Sequence, residues 1–286
     1  MSDYRVIARE GRDVLGEGPM WSARENAVYW VDIKGPRLWR LSLADEAVRS
    51  WPMPEAIGWV VERQDRASFI AGFQSGFAAL TLNPFSITPL HDPEPDRPDN
   101  RLNDAKADAA GRIWAGTMDS LEREATGSLY RLDPDLTVSH HDSGYHVTNG
   151  PAFSPEGDVF YHTDSARRTI YAFDMTPDGR LENKRVFVTF EDAWGYPDGM
   201  TTDAEGGLWV AHWAGSRISR FLPDGALDRS IALPASRITS CAFAGENLDR
   251  MFVTSAAIGA ADEPQAGQLF EVAPGVRGLP TQAFAG

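Results

Sequence analysis

A unit that recurs six times constrains this chain more than any other feature. Each copy holds a short apolar run, a turn rich in Gly, Asp, Glu or Asn, a strand of aromatic and β-branched residues, a second turn and another strand. The middle strands centre on Trp30, Ile70, Trp114, Tyr161, Trp209 and Phe252, at intervals of 40, 44, 47, 48 and 43 residues. The strands after them also match, as in Leu38-Trp39-Arg40-Leu41, Leu129-Tyr130-Arg131-Leu132 and Ile218-Ser219-Arg220-Phe221. A period of roughly 40–50 residues made of several short strands is how propeller blades repeat. The pattern therefore predicts an all-β, six-bladed β-propeller over residues 1–286 as one domain, where an irregular β-sandwich would leave the six matched units unexplained. Outer strands fit over Arg185–Val188 and Arg229–Leu233. Two terminal segments, Tyr4–Ala8 and Thr281–Phe284, have no blade of their own. One of them should complete the last blade and close the ring, since closure removes exposed sheet edges.

Composition narrows the function. The formal charge is −14, from 27 basic and 41 acidic residues, and the basic ones form no run. Such a surface repels nucleic acid and anionic membranes and tolerates a neutral ligand or a cation. A single cysteine, Cys241, rules out an internal disulfide and fits a reducing compartment. The N-terminal stretch lacks the apolar core of a signal peptide. No window approaches the roughly 18 consecutive apolar residues that span a membrane. The expectation is a soluble cytoplasmic protein acting on a small molecule.

In a propeller the innermost strand of each blade faces a central channel. Counting back from the markers, Glu17 lies 13 residues before Trp30, Asn103 lies 11 before Trp114, Asn149 lies 12 before Tyr161 and Asp198 lies 11 before Trp209. The equivalent places in units two and six fall near Ile57 and Ser240. Four of the six units thus put a carboxylate or carboxamide at one address. Any one of them alone reads as a turn residue before Gly; their shared register argues for convergence on one point. Two carboxylates and two amide oxygens suit a hard divalent cation, Ca²⁺, Mg²⁺ or Mn²⁺, with Zn²⁺ or Fe²⁺ also admissible.

These residues stand in recognisable surroundings: Leu15-Gly16-Glu17-Gly18-Pro19, Asn100-Arg101-Leu102-Asn103-Asp104-Ala105-Lys106, Gly111-Arg112-Ile113-Trp114-Ala115-Gly116-Thr117-Met118, Thr148-Asn149-Gly150-Pro151 and Tyr196-Pro197-Asp198-Gly199. Together they resemble the senescence-marker-protein/regucalcin/gluconolactonase family of six-bladed propellers, and the repeat extends the likeness over nearly the whole chain. The resemblance implies hydrolysis of a sugar lactone such as a pentono- or gluconolactone. It implies that Glu17, Asn149 and Asp198 ligate one divalent metal. It also implies that Arg101 and Asn103 bind the lactone and that Asp198 is the proton acceptor. Some relatives carry a substrate-contacting Glu shortly after Thr-Met; here the stretch reads Thr117-Met118-Asp119-Ser120-Leu121-Glu122, leaving Asp119 and Glu122 as replacements.

Lactone hydrolysis needs a polarised carbonyl, an attacking water and stabilisation of the oxyanion. A cation with open positions meets the first and third needs. The base is either the Asp198 carboxylate or a hydroxide generated at the cation. Arg101 alone would read as a surface ion-pair partner. Two other functions fit parts of the pattern: a non-catalytic calcium-binding propeller of regucalcin type, and a paraoxonase-like esterase for apolar lactones. Cys241 has no histidine near it in sequence and reads as a buried inert thiol. The histidines show no zinc spacing; His162 and His212 read as packing residues, and His146 as a candidate for the channel mouth. Trp59, Trp194 and Tyr196 are candidates for the pocket wall.

Overall fold

The computed structural model describes residues 4–286, so Met1–Asp3 of the one-domain span lie outside the described residues. Six four-stranded antiparallel sheets follow one another around a ring. The innermost strands are Gly16–Ser22, Ile57–Glu62, Asn100–Ala107, Thr148–Phe153, Tyr196–Thr202 and Ile238–Ala244, which define blades 1 to 6. A single 3₁₀ turn, Asp192–Trp194, is the helical content among the described residues. No helix is long and apolar enough to cross a membrane.

The periodic aromatics explain the ring. A blade cannot bury both faces of its sheet alone, so neighbouring blades must share a core. Six apolar clusters do this, one at each junction. Tyr29 of blade 1 packs with Phe69 and Phe73 of blade 2, and Trp114 of blade 3 with Phe160 and Phe173 of blade 4. Trp209 of blade 5 packs with Phe243 and Met251 of blade 6, and Trp30 of blade 1 with Phe252 of blade 6. The aromatic strand is also latched at its lower end. Asp108 accepts the indole N–H of Trp114 at 2.9 Å and the backbone N–H groups of Ala110 and Arg112. Asp203 does the same for Trp209, Glu205 and Gly207.

Of the two candidate closing segments, the N-terminal one completes the last blade. Tyr4–Val6 pairs antiparallel with Phe270–Val272 as the outer strand of blade 6. The C-terminal segment has a different task. Gly278 bridges to Asp203 of blade 5, and Phe284 makes a parallel bridge to Arg63 of blade 2. The tail thus crosses the face of the ring opposite to where the inner strands begin. Phe284 ends fully buried beside Trp59 and Ile113.

Candidate functional site

Every inner strand breaks register at the same address. The shifts lie between Glu17 and Met20, Ile57 and Trp59, Leu102 and Ala105, Asn149 and Ala152, Pro197 and Met200, and Ile238 and Ser240. A β-bulge leaves a residue out of the ladder and re-aims its side chain. Here six bulges form a ring around the channel. Glu17, Asn103, Asn149 and Asp198 all stand on it and are all buried.

The two blades without a ligand have physical reasons. In blade 2 the bulge residue is Gly58, where a Cβ would stand 2.6 Å from the Asn103 carbonyl oxygen and 2.8 Å from that of Leu102. No side chain fits there. In blade 6 the bulge residue is Thr239, whose hydroxyl donates to the Gly16 carbonyl at 2.6 Å and is committed to holding blades 6 and 1 together.

At the ring, the Glu17 and Asp198 carboxyl groups lie close enough to act on each other's titration. Burial pushes Glu17 up to about 8, with repulsion from Asp104 adding to it. Burial, then repulsion from Glu17 and Asp104, hold Asp198 well above the usual carboxylate range. Asn149 donates its amide nitrogen to the Ser165 hydroxyl at 2.8 Å, and Ser165 in turn donates to the Pro197 carbonyl at 2.6 Å. That chain fixes the Asn149 amide with its nitrogen on Ser165, so its oxygen, which accepts Asn103 Nδ2 at 3.2 Å, keeps one lone pair for a ligand. Among the described residues no group of three His, Cys, Asp or Glu side chains forms a metal site. A site here depends on the Asn149 amide oxygen as its third donor.

The donor set fits a divalent cation. Two buried carboxyl groups this close are costly when both are ionised. No lysine or arginine bonds to either of them among the described residues. The nearest guanidinium, Arg101, is spent elsewhere: it donates to Asn103 Oδ1 at 2.5 Å and to the Leu102 carbonyl at 3.2 Å, and lies 3.4 Å from the Met118 sulfur. Arg101 is buried rather than in a surface ion pair, and burial lowers its guanidinium to about 10 against the pull of Glu17, Glu122 and Asp198.

Asn103 is a brace as well as a candidate contact. Its Nδ2 donates to the Thr148 carbonyl at 2.6 Å and to Asn149 Oδ1 at 3.2 Å, while its oxygen takes Arg101. Of the two replacements for the family's glutamate, Asp119 is committed to its own loop. It accepts the N–H groups of Leu121 and Arg123 and pairs with the Arg123 side chain at 3.0 Å. Glu122 is exposed and close enough for its charge to act on Arg101. A cavity of about 380 Å³ opens beside Arg101, bordered by Gln74, Pro93, Arg97 and Thr117.

The wall residues fall in different places. Trp59 is buried and belongs to the lower channel. Trp194 packs against Phe190 and Phe221, and Tyr196 lies under the Arg168 guanidinium. His146 is half-exposed with Nδ1 3.8 Å from Asp164, and His162 and His212 are buried among aromatics. Cys241 is buried, its thiol pushed up to about 12 by burial, which removes it as a nucleophile. Below the ring lies a cavity of about 530 Å³. Met20, Trp21, Phe153 and Phe243 line it, and Leu279–Gln282 of the tail border its far end.

The chain that carries this ring of bulges matches known proteins. The family model described as SMP-30/gluconolactonase/LRE-like region covers residues 15–257. The chain belongs to this family. An L-arabinolactonase from Azospirillum brasilense is 36% identical over 98% of this chain and 95% of its own length. A regucalcin from Danio rerio is 36% identical over 100% of both chains. Among solved structures, a calcium-binding regucalcin from Agrobacterium tumefaciens superposes with a TM-score of 0.91 at 26% identity, over 98% of this chain and 97% of that one. Sequence reasoning passed over Asp104 and Ser165, which the structure places beside the candidate ligands. Asp104 stands next to Asn103 in the same bulge, and Ser165 closes the second strand of blade 4, where no repeat motif marks it.

Proposed function

We propose that this chain, as one propeller domain over 1–286, is a metal-dependent aldonolactonase, a carboxylic ester hydrolase that opens a sugar lactone to the aldonic acid. The single observation that carries the reading is the convergence of the buried Glu17 and Asp198 carboxyls, each close enough to shift the other's titration, beside the fixed Asn149 amide, with no cationic side chain bonded to either among the described residues. In this reading Glu17, Asn149 and Asp198 hold one divalent cation, Ca²⁺, Mg²⁺, Mn²⁺, Zn²⁺ or Fe²⁺. When bound, such an ion acts as a Lewis acid on the lactone carbonyl and stabilises the oxyanion. Three protein ligands leave positions open for substrate and water.

The remaining roles belong to the protein's own groups. Arg101 offers guanidinium donors to the hydroxyls or ring oxygen of the sugar, and Asn103 keeps that guanidinium aimed. Asp198 is our candidate for the group that accepts the proton of the attacking water. Membership in a family with an L-arabinolactonase relative supports a polyhydroxylated lactone. So does the buried Arg101, whose guanidinium donors beyond those on Asn103 and Leu102 an apolar lactone of the paraoxonase-like esterase type would not answer. The single buried cysteine fits a cytoplasmic setting.

Regucalcin relatives favour a second reading, a calcium-binding propeller without catalysis. One panel separates the two. Metal-stripped protein is assayed against pentono- and hexonolactones with each of the five ions, by the acid released. The lactonase reading expects hydrolysis restored by at least one ion and abolished by chelator. Calcium binding by calorimetry with no hydrolysis of any lactone overturns it.

A further inference from the structure

Asp104 is a buried carboxylate of the channel that the proposed ligand set does not use. It is 4% exposed. Its Oδ1 accepts the Ala105 N–H at 2.8 Å, and its Oδ2 accepts the Gly150 N–H at 3.0 Å across the junction to blade 4. Gly150 is joined by its peptide bond to Asn149, so Asp104 pins the far side of the peptide whose near side carries a candidate metal ligand. Gly150 also sits at φ +78°, with a Cβ position that the Met200 side chain already occupies. Only glycine fits that conformation and that space. Two residues along the same strand, Lys106 donates to the Met200 carbonyl in blade 5, two residues past Asp198. One strand of blade 3 therefore reaches the inner strands of blades 4 and 5, each time within two residues of a candidate ligand.

Resting on the metal-site reading above, we infer that Asp104 is a positioning residue for the cation. It fixes the backbone that carries Asn149 by holding the Gly150 N–H across the junction between blades 3 and 4. The competing account makes it a structural cap that happens to lie nearby, as Asp108 and Asp203 are at the ends of their strands. The two accounts differ in what a replacement does. A cap supports the fold, and its loss appears in the metal-free protein. A carboxylate behind a ligand supports the ion. Groups that orient metal ligands from behind typically change metal affinity by about 10–100-fold when replaced.

Asp104→Asn keeps the volume, removes the charge and can accept only one of the two N–H groups, turning its own NH₂ toward the other. Metal-stripped parent and variant are titrated with Mn²⁺ and Zn²⁺ by calorimetry, and their melting temperatures are measured without metal. The same proteins are then assayed on a lactone across metal concentration. We expect Kd for the ion to weaken by about 10–100-fold. We expect kcat and KM at saturating metal to return to within about threefold of the parent, because Asp104 does not touch substrate. Parent-like metal affinity overturns the inference. So does activity that stays low at every metal concentration with a lowered metal-free melting temperature, which marks a cap. Glu17→Gln and Asp198→Asn serve as controls. If they also keep parent affinity, the metal-site reading itself has failed; if they lose the ion and Asp104→Asn does not, only the role of Asp104 falls. Should Asp104→Asn not fold, Asp104→Glu takes its place. A Kd weakened about tenfold or more supports positioning, and a parent-like Kd overturns it.

Discussion

The two ends of the channel are built from the same six strands yet differ in what they carry. At the bulges stand Glu17, Arg101, Asn103, Asn149 and Asp198, with Arg101 bonded to Asn103 and Asn103 reaching across to Asn149 of the next blade. Below them the same strands turn Met20, Val60, Ala105, Ala152 and Ala242 to a cavity bordered by the C-terminal tail. A regular strand alternates its side chains between two faces. A bulge interrupts that alternation once. Six bulges in register therefore gather the candidate site residues at one level, above a wall of mixed character in which Asp104 and Lys106 stand among Met20, Val60, Ala152 and Ala242. The fold needs the lower half to hold the blades together, and the proposed chemistry needs only the upper one.

Asp198→Ala tests that division most severely. In the upper half it leaves Glu17 as the one carboxylate of the proposed set. Metal affinity and kcat/KM should both fall, the latter by about a thousandfold or more, near 4 kcal/mol. Calorimetry beside lactone kinetics reads both, and an Asp198→Ala protein that binds the ion like the parent breaks the assignment of this end. The matching change in the lower half is Phe284→Ala. Phe284 is fully buried between blades 2 and 3, so its loss should cost about 3–5 kcal/mol of stability in denaturant unfolding. Metal affinity should stay within a few-fold. If the tail variant loses the ion as well, the two ends are coupled and the comparison fails.

The sequence carried the lower half well and the upper half unevenly. Trp30, Trp114 and Trp209 recur because every blade must bury the same face, so the period survives in plain view. Ring closure was ambiguous for a physical reason: Tyr4–Val6 and the segment ending at Phe284 are both short and β-prone, and both do pair, one as a blade strand and one as a bridge across the ring. Asp104 was passed over because neighbours in a strand point to opposite faces. The bulge between Leu102 and Ala105 suspends that rule and turns both Asn103 and Asp104 inward. Ile57 marked the right place in blade 2, yet the decisive residue is Gly58, whose missing side chain leaves no mark in a polarity pattern. Arg101 taken alone read as a surface ion-pair partner, and only the resemblance pointed to lactone binding, because its partners are a carboxamide, a carbonyl and a thioether that no charge pattern marks.

Arg101→Ala and Asn103→Ala sharpen the comparison within the upper half. Loss of one or two hydrogen bonds to the sugar should cost about 1.5–3 kcal/mol in kcat/KM, tenfold to a hundredfold. For Arg101→Ala the loss should lie mostly in KM if its contact is equal in ground and transition states. Asn103 also donates to Asn149 Oδ1, so the informative quantity is its metal affinity. We expect that affinity to stay within about tenfold of the parent, since Ser165 still holds the Asn149 amide. Calorimetry showing metal loss in step with activity would make Asn103 a fourth ligand.

The smallest effect is one of pH, and it comes from outside both ends. His162 is buried in blade 4 against Tyr145 and Phe160, and neither ring nitrogen has a partner. Burial lowers its pKa to about 3. The unfolded chain titrates near 6.5, so between those values the unfolded state binds a proton that the folded state refuses. Stability from this group is whole above about pH 7 and is lost as the solution is acidified through 6.5 toward 3. At pH 5 the loss is about 2 kcal/mol. His162→Phe replaces the ring without a titrating group. The gap in unfolding free energy between parent and variant should therefore move by about 2 kcal/mol in favour of the variant from pH 7.5 to pH 5, whatever its value at pH 7.5. Urea titrations at the two pH values measure this. The metal-free and metal-loaded proteins should show the same shift, because His162 packs between strands of blades 3 and 4 and takes no part in the ring. A shift that disappears on loading the metal would mean that acid acts first on the upper end of the channel, and that the two regions are not separable by titration.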